Sequence, residues 1–182
     1  MPQHLPPFLP GETYHVYNHA NGDDNIFREE DNYRYFMEKY MKYMAPMVDT
    51  LAYCWMKNHF HLMVRVKDIK TSKVFENLGS LDVEEQKKRI SKKVSQGFSN
   101  FFNAYTKAFN KKYGRMGSLF APNVKRKQIT NDAYITQCII DSHQNPERHG
   151  FVDDFQDWVH SSYHGIMDGN DPVAIGIEAL NW

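Results

Sequence analysis

His59 and His61 lie two residues apart in the segment HFHLMVRV. Because side chains alternate across a β-strand, the two imidazoles are expected on the same face. Two imidazoles on one rigid strand can chelate a divalent cation, and nitrogen donors favour Mn, Zn, Co or Ni over bare Mg. A pair at this spacing also arises by chance, so scattered polar histidines are the alternative interpretation. The spacing alone indicates a candidate metal site.

A second group of polar side chains lies in the segment IIDSHQNPERHG. Asn145 offers a hard oxygen ligand, although an Asn followed by Pro is also typical of a helix that ends there. Asp141 lies four residues earlier, on the same face of the predicted helix. If this helix packs against the two histidines, the four side chains form one pocket.

Charge is distributed unevenly along the chain. The 22 basic and 22 acidic residues give a net charge of zero. Between residues 86 and 128, however, there are twelve basic residues and neither Asp nor Glu, with Phe and Tyr interleaved. Such a block predicts binding to nucleic-acid phosphates, with an acidic protein partner or a solvated lysine face as alternatives. The residues expected to contact DNA are Lys111, Lys112, Arg115, Lys125, Arg126 and Lys127.

Hydrophobic periodicity predicts the elements that position these residues. Strands are expected at residues 13–19, 48–56, 59–66 and 119–129. Helices are expected from residue 31 to about 44, from 83 to 113, and from about 131 to a stop before Pro146, because the residue preceding a proline avoids the α region. This order predicts an α+β, ferredoxin-like split βαβ fold: an antiparallel four-stranded sheet with helices packed on one face.

Length and composition predict one domain spanning residues 1–182, with an extended proline-rich arm at 1–12 and a tail at 164–182. The two cysteines exclude a disulfide framework, and a reducing cytoplasm is the expected location. No apolar run is long enough for a membrane span, so no membrane partner is expected.

Four segments together resemble the single-tyrosine HUH transposases, and most closely the branch of REP-associated tyrosine transposases. They are TYHVYNHANGDDNIF, AYCWMKNHFHLMVRV, FNKKYGRMGSLFAPNVKRKQI and HQNPERHGFVDDFQDWVHSSY. The resemblance implies the same split βαβ sheet and a partner that is hairpin or single-stranded DNA. It also implies His59, His61 and Asn145 as ligands of a divalent metal, Mg or Mn, and a tyrosine that forms a 5′-phosphotyrosine while a 3′-hydroxyl is released.

The sequence departs from the family at the nucleophile, which normally lies four residues before the Asn. Here that position is Asp141, whose acyl phosphate would be labile to water. Tyr105, inside the basic block, is the alternative nucleophile, although it is equally typical of a packing residue. Three functions follow: a transposase-like strand transferase, a non-cleaving protein that binds hairpin DNA or RNA, and a hydrolytic metal-dependent nuclease with Asp141 as ligand or base. A homodimer is compatible with each of them.

Overall fold

The computed structural model describes residues 5–174, so the ends of the expected arm and tail, residues 1–4 and 175–182, lie outside the described residues. The elements in chain order are β1 (Thr13–His19), α1 (Glu30–Tyr43), β2 (Val48–Met56), β3 (His59–Val66), α2 (Val83–Tyr113), β4 (Lys125–Ile129), α3 (Asp132–Arg148) and α4 (Tyr163–Met167). Short 3₁₀ turns lie at Glu76–Leu78 and Phe155–Asp157.

The four strands form one sheet in the order β2-β3-β1-β4, and every neighbouring pair is antiparallel. β2 and β3 are a hairpin joined through Lys57 and Asn58. The β-forming residues of β1, β2 and β3 explain why these three strands form where the sequence predicts them. The expected α+β fold with a four-stranded antiparallel sheet is confirmed.

The helices lie on both faces of the sheet, which corrects the expectation of a single helical layer. Phe60 and Leu62 belong to the main core, together with the buried residues of α1 and α2. Met63, which points to the opposite face, packs instead with Ile135 and Ile139 of α3. α3 therefore covers the face that carries His59 and His61, because that face alternates with the Phe60 face along β3.

α3 extends through Pro146 to Arg148, whereas the sequence predicted a stop before the proline. A proline in the last turn removes only one backbone donor and its fixed φ is compatible with the helix. The actual end is set by Gly150, with φ of +69°. Its N–H donates to Glu147 O and that of Phe151 to Pro146 O, the pair of bonds that closes a Schellman motif.

β4 is shorter than expected, since it begins at Lys125 rather than near residue 119. Phe120 forms only an isolated bridge to Ala20 before the chain turns at Pro122 and Asn123. None of the helices within residues 5–174 is long and apolar enough to cross a membrane.

Candidate functional site

Polar side chains of three strands share the face of the sheet opposite the main core. Tyr17 lies at their centre, opposite His61 in the register of β1 and β3 and opposite Lys125 in that of β1 and β4. Residues at alternate positions of each strand join the same surface. We refer to this surface as the histidine face; it consists of His15, Tyr17, His19, His59, His61, Lys125 and Lys127.

The two candidate metal ligands both have their Nδ1 atoms engaged. Nδ1 of His59 lies 2.7 Å from Oδ1 of Asn58, and Nδ1 of His61 lies 2.8 Å from Nε2 of His15. Because an amide oxygen only accepts, Nδ1 of His59 carries the proton and its Nε2 keeps the lone pair. Hydrogen bonds of this kind fix the tautomer and orientation of metal-ligating histidines. A divalent cation held through Nε2 therefore fits His59, and it fits His61 when His61 donates the bond to His15.

Burial keeps these imidazoles neutral. Together with smaller contributions from the neighbouring His149 and His19, it lowers the pKa of His59 to about 4. It lowers the pKa of His61 to about 3, with smaller contributions from His15, His59 and His149. Since the neutral imidazole is the form that ligates a metal, neither side chain has to lose a proton near neutral pH.

α3 approaches the histidine pair at its C-terminal end. The ring of His149 packs edge-on against that of His59, with 4.7 Å between the centroids. Asn145 lies one helical turn earlier, and residues four apart lie on the same side of a helix. The amide predicted as third ligand is therefore on the side of α3 that faces His59.

Within residues 5–174, no group of three or more His, Cys, Asp or Glu side chains is arranged to hold a metal ion. A cation on His59 and His61 would rely on the amide oxygen of Asn145 and on oxygens of solvent or phosphate, as hard divalent cations commonly do. The role of Asn145 as a ligand stays a prediction.

Asp141 is hydrogen-bonded to other side chains of α3. Its Oδ1 accepts hydrogen bonds from Nε2 of Gln137 at 3.2 Å and from Nη2 of Arg148 at 3.1 Å. The carboxylate side chain is 43% exposed, so it forms a surface ion pair within its own helix. The structure does not show it joined to the histidine pair.

Tyr105 lies in the main core, on the other side of the sheet from the histidine face. Its side chain is 1% exposed, and its hydroxyl donates to the carbonyl oxygen of Ile26 at 2.7 Å. Burial raises its pKa well above the usual range, with smaller contributions from Tyr113 and Tyr33. A phenol with these surroundings packs the core and does not reach a phosphate held by the histidines, which argues against Tyr105 as the nucleophile.

Lys125 and Lys127 supply positive charge to the histidine face. Both side chains are exposed. Nζ of Lys127 donates to the hydroxyl of Tyr134 on α3 at 3.1 Å and lies 4.8 Å from the centroid of that ring. The hydrogen bond to Tyr134 raises the pKa of Lys127. The two lysines thus lie beside β1, on the side of that strand away from β3.

Arg126 serves a different purpose from the lysines on either side of it. It points to the opposite face of β4, where its guanidinium stacks 4.3 Å from the ring centroid of Phe8. Its Nε donates to the carbonyl oxygen of Pro6 at 2.6 Å. Arg126 therefore holds the N-terminal arm against the sheet, and it is not part of the histidine face.

The other basic residues expected to contact DNA lie near the end of α2, the helix that packs on the opposite face. Arg115 is paired with Asp24, with 2.5 Å between Nε and Oδ2, and Lys112 is paired with Glu29. Lys111 is exposed on α2. The basic block is therefore not one surface: the sheet separates its strand lysines from its helix residues.

Four residues of the site are not among those that the sequence analysis singled out: His15, Tyr17, His19 and His149. The alternation in TYHVYNH places His15 and Tyr17 on one face of β1, which was a usable signal. That this face adjoins His61 depends on the pairing of β1 with β3, which residue spacing does not encode.

No family model and no curated protein matches the sequence. Among solved structures, the chain is similar to a REP-associated tyrosine transposase bound to a REP hairpin, with a TM-score of 0.62 and 16% sequence identity. The similarity covers 95% of this chain and 90% of that one. At this identity it establishes a shared fold.

Proposed function

We propose that the protein binds structured single-stranded DNA, such as a hairpin with a single-stranded flank, across the histidine face. The observation that carries the proposal is the register of β1, which places Lys125 beside Tyr17 and Tyr17 beside His61. Phosphate-binding charge, an aromatic ring and candidate metal ligands are thus neighbours on one surface. The similarity in fold to a transposase bound to a REP hairpin supports the same partner.

A divalent cation, Mg²⁺ or Mn²⁺, belongs to this proposal. His59 and His61 would hold it with Asn145, and when bound it would polarise a phosphodiester and neutralise part of its charge. The lysines of β4 would contact neighbouring phosphates, which fixes the position of the strand without reading its sequence. Tyr17 is half-buried between His61 and Lys125, where its ring offers a surface on which a base can stack.

The proposal is tested by the salt dependence of binding. A labelled DNA hairpin with single-stranded flanks is titrated with protein in MgCl₂, by fluorescence anisotropy at several NaCl concentrations. The double variant Lys125→Gln/Lys127→Gln is expected to lower affinity and to reduce the salt slope by up to about 1.4, or about 0.7 for each phosphate that is no longer neutralised.

The matched control removes two charges from the other side of the sheet. Lys88 and Lys92 are exposed on α2, so Lys88→Gln/Lys92→Gln is expected to leave the slope unchanged. Equal losses in the two double variants would show diffuse attraction to the whole basic block. Equal affinity of wild type and Lys125→Gln/Lys127→Gln would refute binding at the histidine face.

Strand cleavage is a second candidate function, and the position of Tyr17 favours it. Its ring lies nearly parallel to that of His61, with 6.1 Å between the centroids. In this reaction the Tyr17 oxygen would bond to phosphorus as the P–O3′ bond breaks. The phenolic proton would pass to solvent and the 3′-oxygen would leave as a hydroxyl. Asp141 occupies the position of the family's nucleophile, so β1 rather than α3 would supply the tyrosine.

Incubation of 5′- and 3′-labelled hairpins with MnCl₂ separates the possible outcomes. A covalent adduct that Tyr17→Phe abolishes while hairpin binding persists would establish cleavage by Tyr17. Binding without cleavage leaves the protein as a hairpin-binding module, and cleavage without adduct identifies a hydrolytic nuclease. In Asp141→Tyr, a phenol replaces the carboxylate one turn before Asn145, and a new adduct at residue 141 is expected if the nucleophile alone is missing.

A further inference from the structure

We propose that His15 is a positioning residue that sets the tautomer of His61 and thereby directs the Nε2 lone pair of His61 to the divalent cation. This inference rests on the proposed cation site at His59 and His61. It goes beyond that site because His15 itself does not ligate, and because the resemblance assigns no role to this residue.

The contact between the two imidazoles is direct. Nε2 of His15 lies 2.8 Å from Nδ1 of His61. The rings are inclined by 26°, with 5.1 Å between their centroids. His15 lies two residues before Tyr17, the residue opposite His61, so the bond runs diagonally between β1 and β3. Both side chains are only partly exposed, and their backbones belong to paired strands, which hold the two residues in this diagonal register.

Two neutral imidazoles can share this bond in only two ways. If His15 donates, Nδ1 of His61 accepts and the proton of His61 lies on Nε2, where it blocks ligation. If His61 donates from Nδ1, its Nε2 is a free lone pair and the proton of His15 lies on its own Nδ1. Ligation through Nε2 therefore requires the second arrangement, and the tautomers of both residues are coupled to cation binding.

His59 shows why this coupling is specific to His61. The partner of His59 is the Asn58 carboxamide oxygen, which only accepts, so the tautomer of His59 is fixed whether or not a cation is bound. His15 can either donate or accept. The tautomer of His59 is thus determined by Asn58, whereas the tautomer of His61 is determined jointly with that of His15.

An acceptor nitrogen on His15 would do more than orient His61. A hydrogen-bond acceptor behind a ligating nitrogen makes that ligand more basic. We therefore expect the His15 bond to strengthen cation binding as well as to orient His61.

The experiment uses the full chain, Zn²⁺ as a diamagnetic probe, and no DNA. Long-range ¹H–¹⁵N NMR correlations of the histidine rings report which nitrogen carries the proton. With Zn²⁺ bound, His61 is expected with its proton on Nδ1 and His15 with its proton on Nδ1. Calorimetric titration then gives the Zn²⁺ affinity of each variant, with the melting temperature as a check of the fold.

His15→Phe is expected to weaken Zn²⁺ binding by about 10- to 100-fold, the usual effect of removing an outer hydrogen bond to a ligand. His15→Gln places an amide oxygen near the former Nε2 and is expected to restore most of the affinity. His164→Phe is the control, because that exposed histidine on α4 bonds a backbone carbonyl instead of a ligand.

The proposal is overturned if Zn²⁺-bound His61 keeps its proton on Nε2, if His15→Phe binds Zn²⁺ as tightly as wild type, or if wild type binds no Zn²⁺. Because no DNA is present, these outcomes are separate from the hairpin-binding test. Normal Zn²⁺ binding and tautomers without hairpin binding would refute the proposed function alone. Hairpin binding with an ineffective His15→Phe variant would refute the positioning role alone.

Discussion

Replacing Arg126 tests whether this arginine clamps the N-terminal arm or contacts DNA. Its guanidinium stacks on Phe8, and its Nε donates to Pro6 O at 2.6 Å. A charged hydrogen bond contributes about 1.5–3 kcal/mol and an arginine–aromatic contact about 0.5–2 kcal/mol. Burial lowers the pKa of Arg126, which reflects a desolvation cost that offsets part of this sum. Arg126→Ala is therefore expected to lower the free energy of unfolding by about 2 kcal/mol.

The destabilisation is measured by urea unfolding and by thermal melting, where about 2 kcal/mol corresponds to a decrease of roughly 4–8 °C for a chain of this size. Lys125→Ala is the matched control, because this neighbour is exposed and its removal is expected to change stability by less than about 0.5 kcal/mol. Arg126→Lys keeps the charge but lacks the planar fork, so most of the destabilisation is expected to remain.

Hairpin affinity gives the opposite ranking of these variants. Lys125→Ala is expected to weaken DNA binding, whereas Arg126→Lys leaves it unchanged. Phe8 is 1% exposed, so release of the arm in Arg126→Ala should also increase cleavage by protease near residue 8. An Arg126→Ala protein with wild-type stability and weakened hairpin binding would refute the clamp and return Arg126 to the DNA-binding surface.

Three further outcomes are expected. The Cβ of Gly150→Ala has room, but the residue must adopt a φ of +69°, so this variant should lower the free energy of unfolding in urea by about 1–2 kcal/mol. Gly150→Asn should lower it less, and equal stability of Gly150→Ala and wild type would contradict the role of Gly150 as the helix cap. Tyr105→Phe leaves a buried backbone carbonyl unpaired and should lower stability by about 1–3 kcal/mol, with hairpin binding intact; loss of binding at full stability would oppose a packing role. Burial lowers the pKa of His160 more than the carboxylate of Glu30, 3.3 Å away, raises it. In an NMR titration Glu30→Gln should lower that pKa further, and stability should decline as the pH falls below about 6.5, where the unfolded chain takes up the proton first. An increase of this pKa in Glu30→Gln would contradict the assignment.

The sequence predicts the elements that depend on local pattern. β1, β2 and β3 begin and end where their runs of β-forming residues do, because β-propensity and the turn at Lys57 and Asn58 are local properties. The end of α3 could not be predicted from local pattern in the same way. Pro146 favours a stop, but the hydrogen bonds that the chain forms at Gly150 carry the helix one turn further.

The side of the sheet that α3 covers could have been derived from the sequence. Since His59 and His61 alternate with Phe60 and Leu62 on β3, a helix that brings Asn145 to the histidines must pack opposite the Phe60 layer. A single helical layer and a shared site were therefore incompatible expectations.

Long-range pairing is what the residue pattern could not supply. Alternation correctly separates Arg126 from Lys125 and Lys127, yet nothing local shows that the N-terminal arm covers Arg126. The same applies to Tyr17, whose position beside His61 requires the β1–β3 register. In both cases the side chain's role is decided by a segment distant in sequence.

The short, basic strand β4 affects whether the edge of the sheet can pair with a strand of another molecule. β4 and β2 are the two edges of the sheet. The β2 edge is covered by the chain itself, since Trp55 N–H donates to His160 O and Ser162 N–H donates to Tyr53 O. β4 is five residues long and carries three consecutive cations, which repel an identical strand from another molecule. The lysines proposed to bind phosphate therefore also discourage fibril-like association through this edge, and a variant that neutralises them gives up that protection.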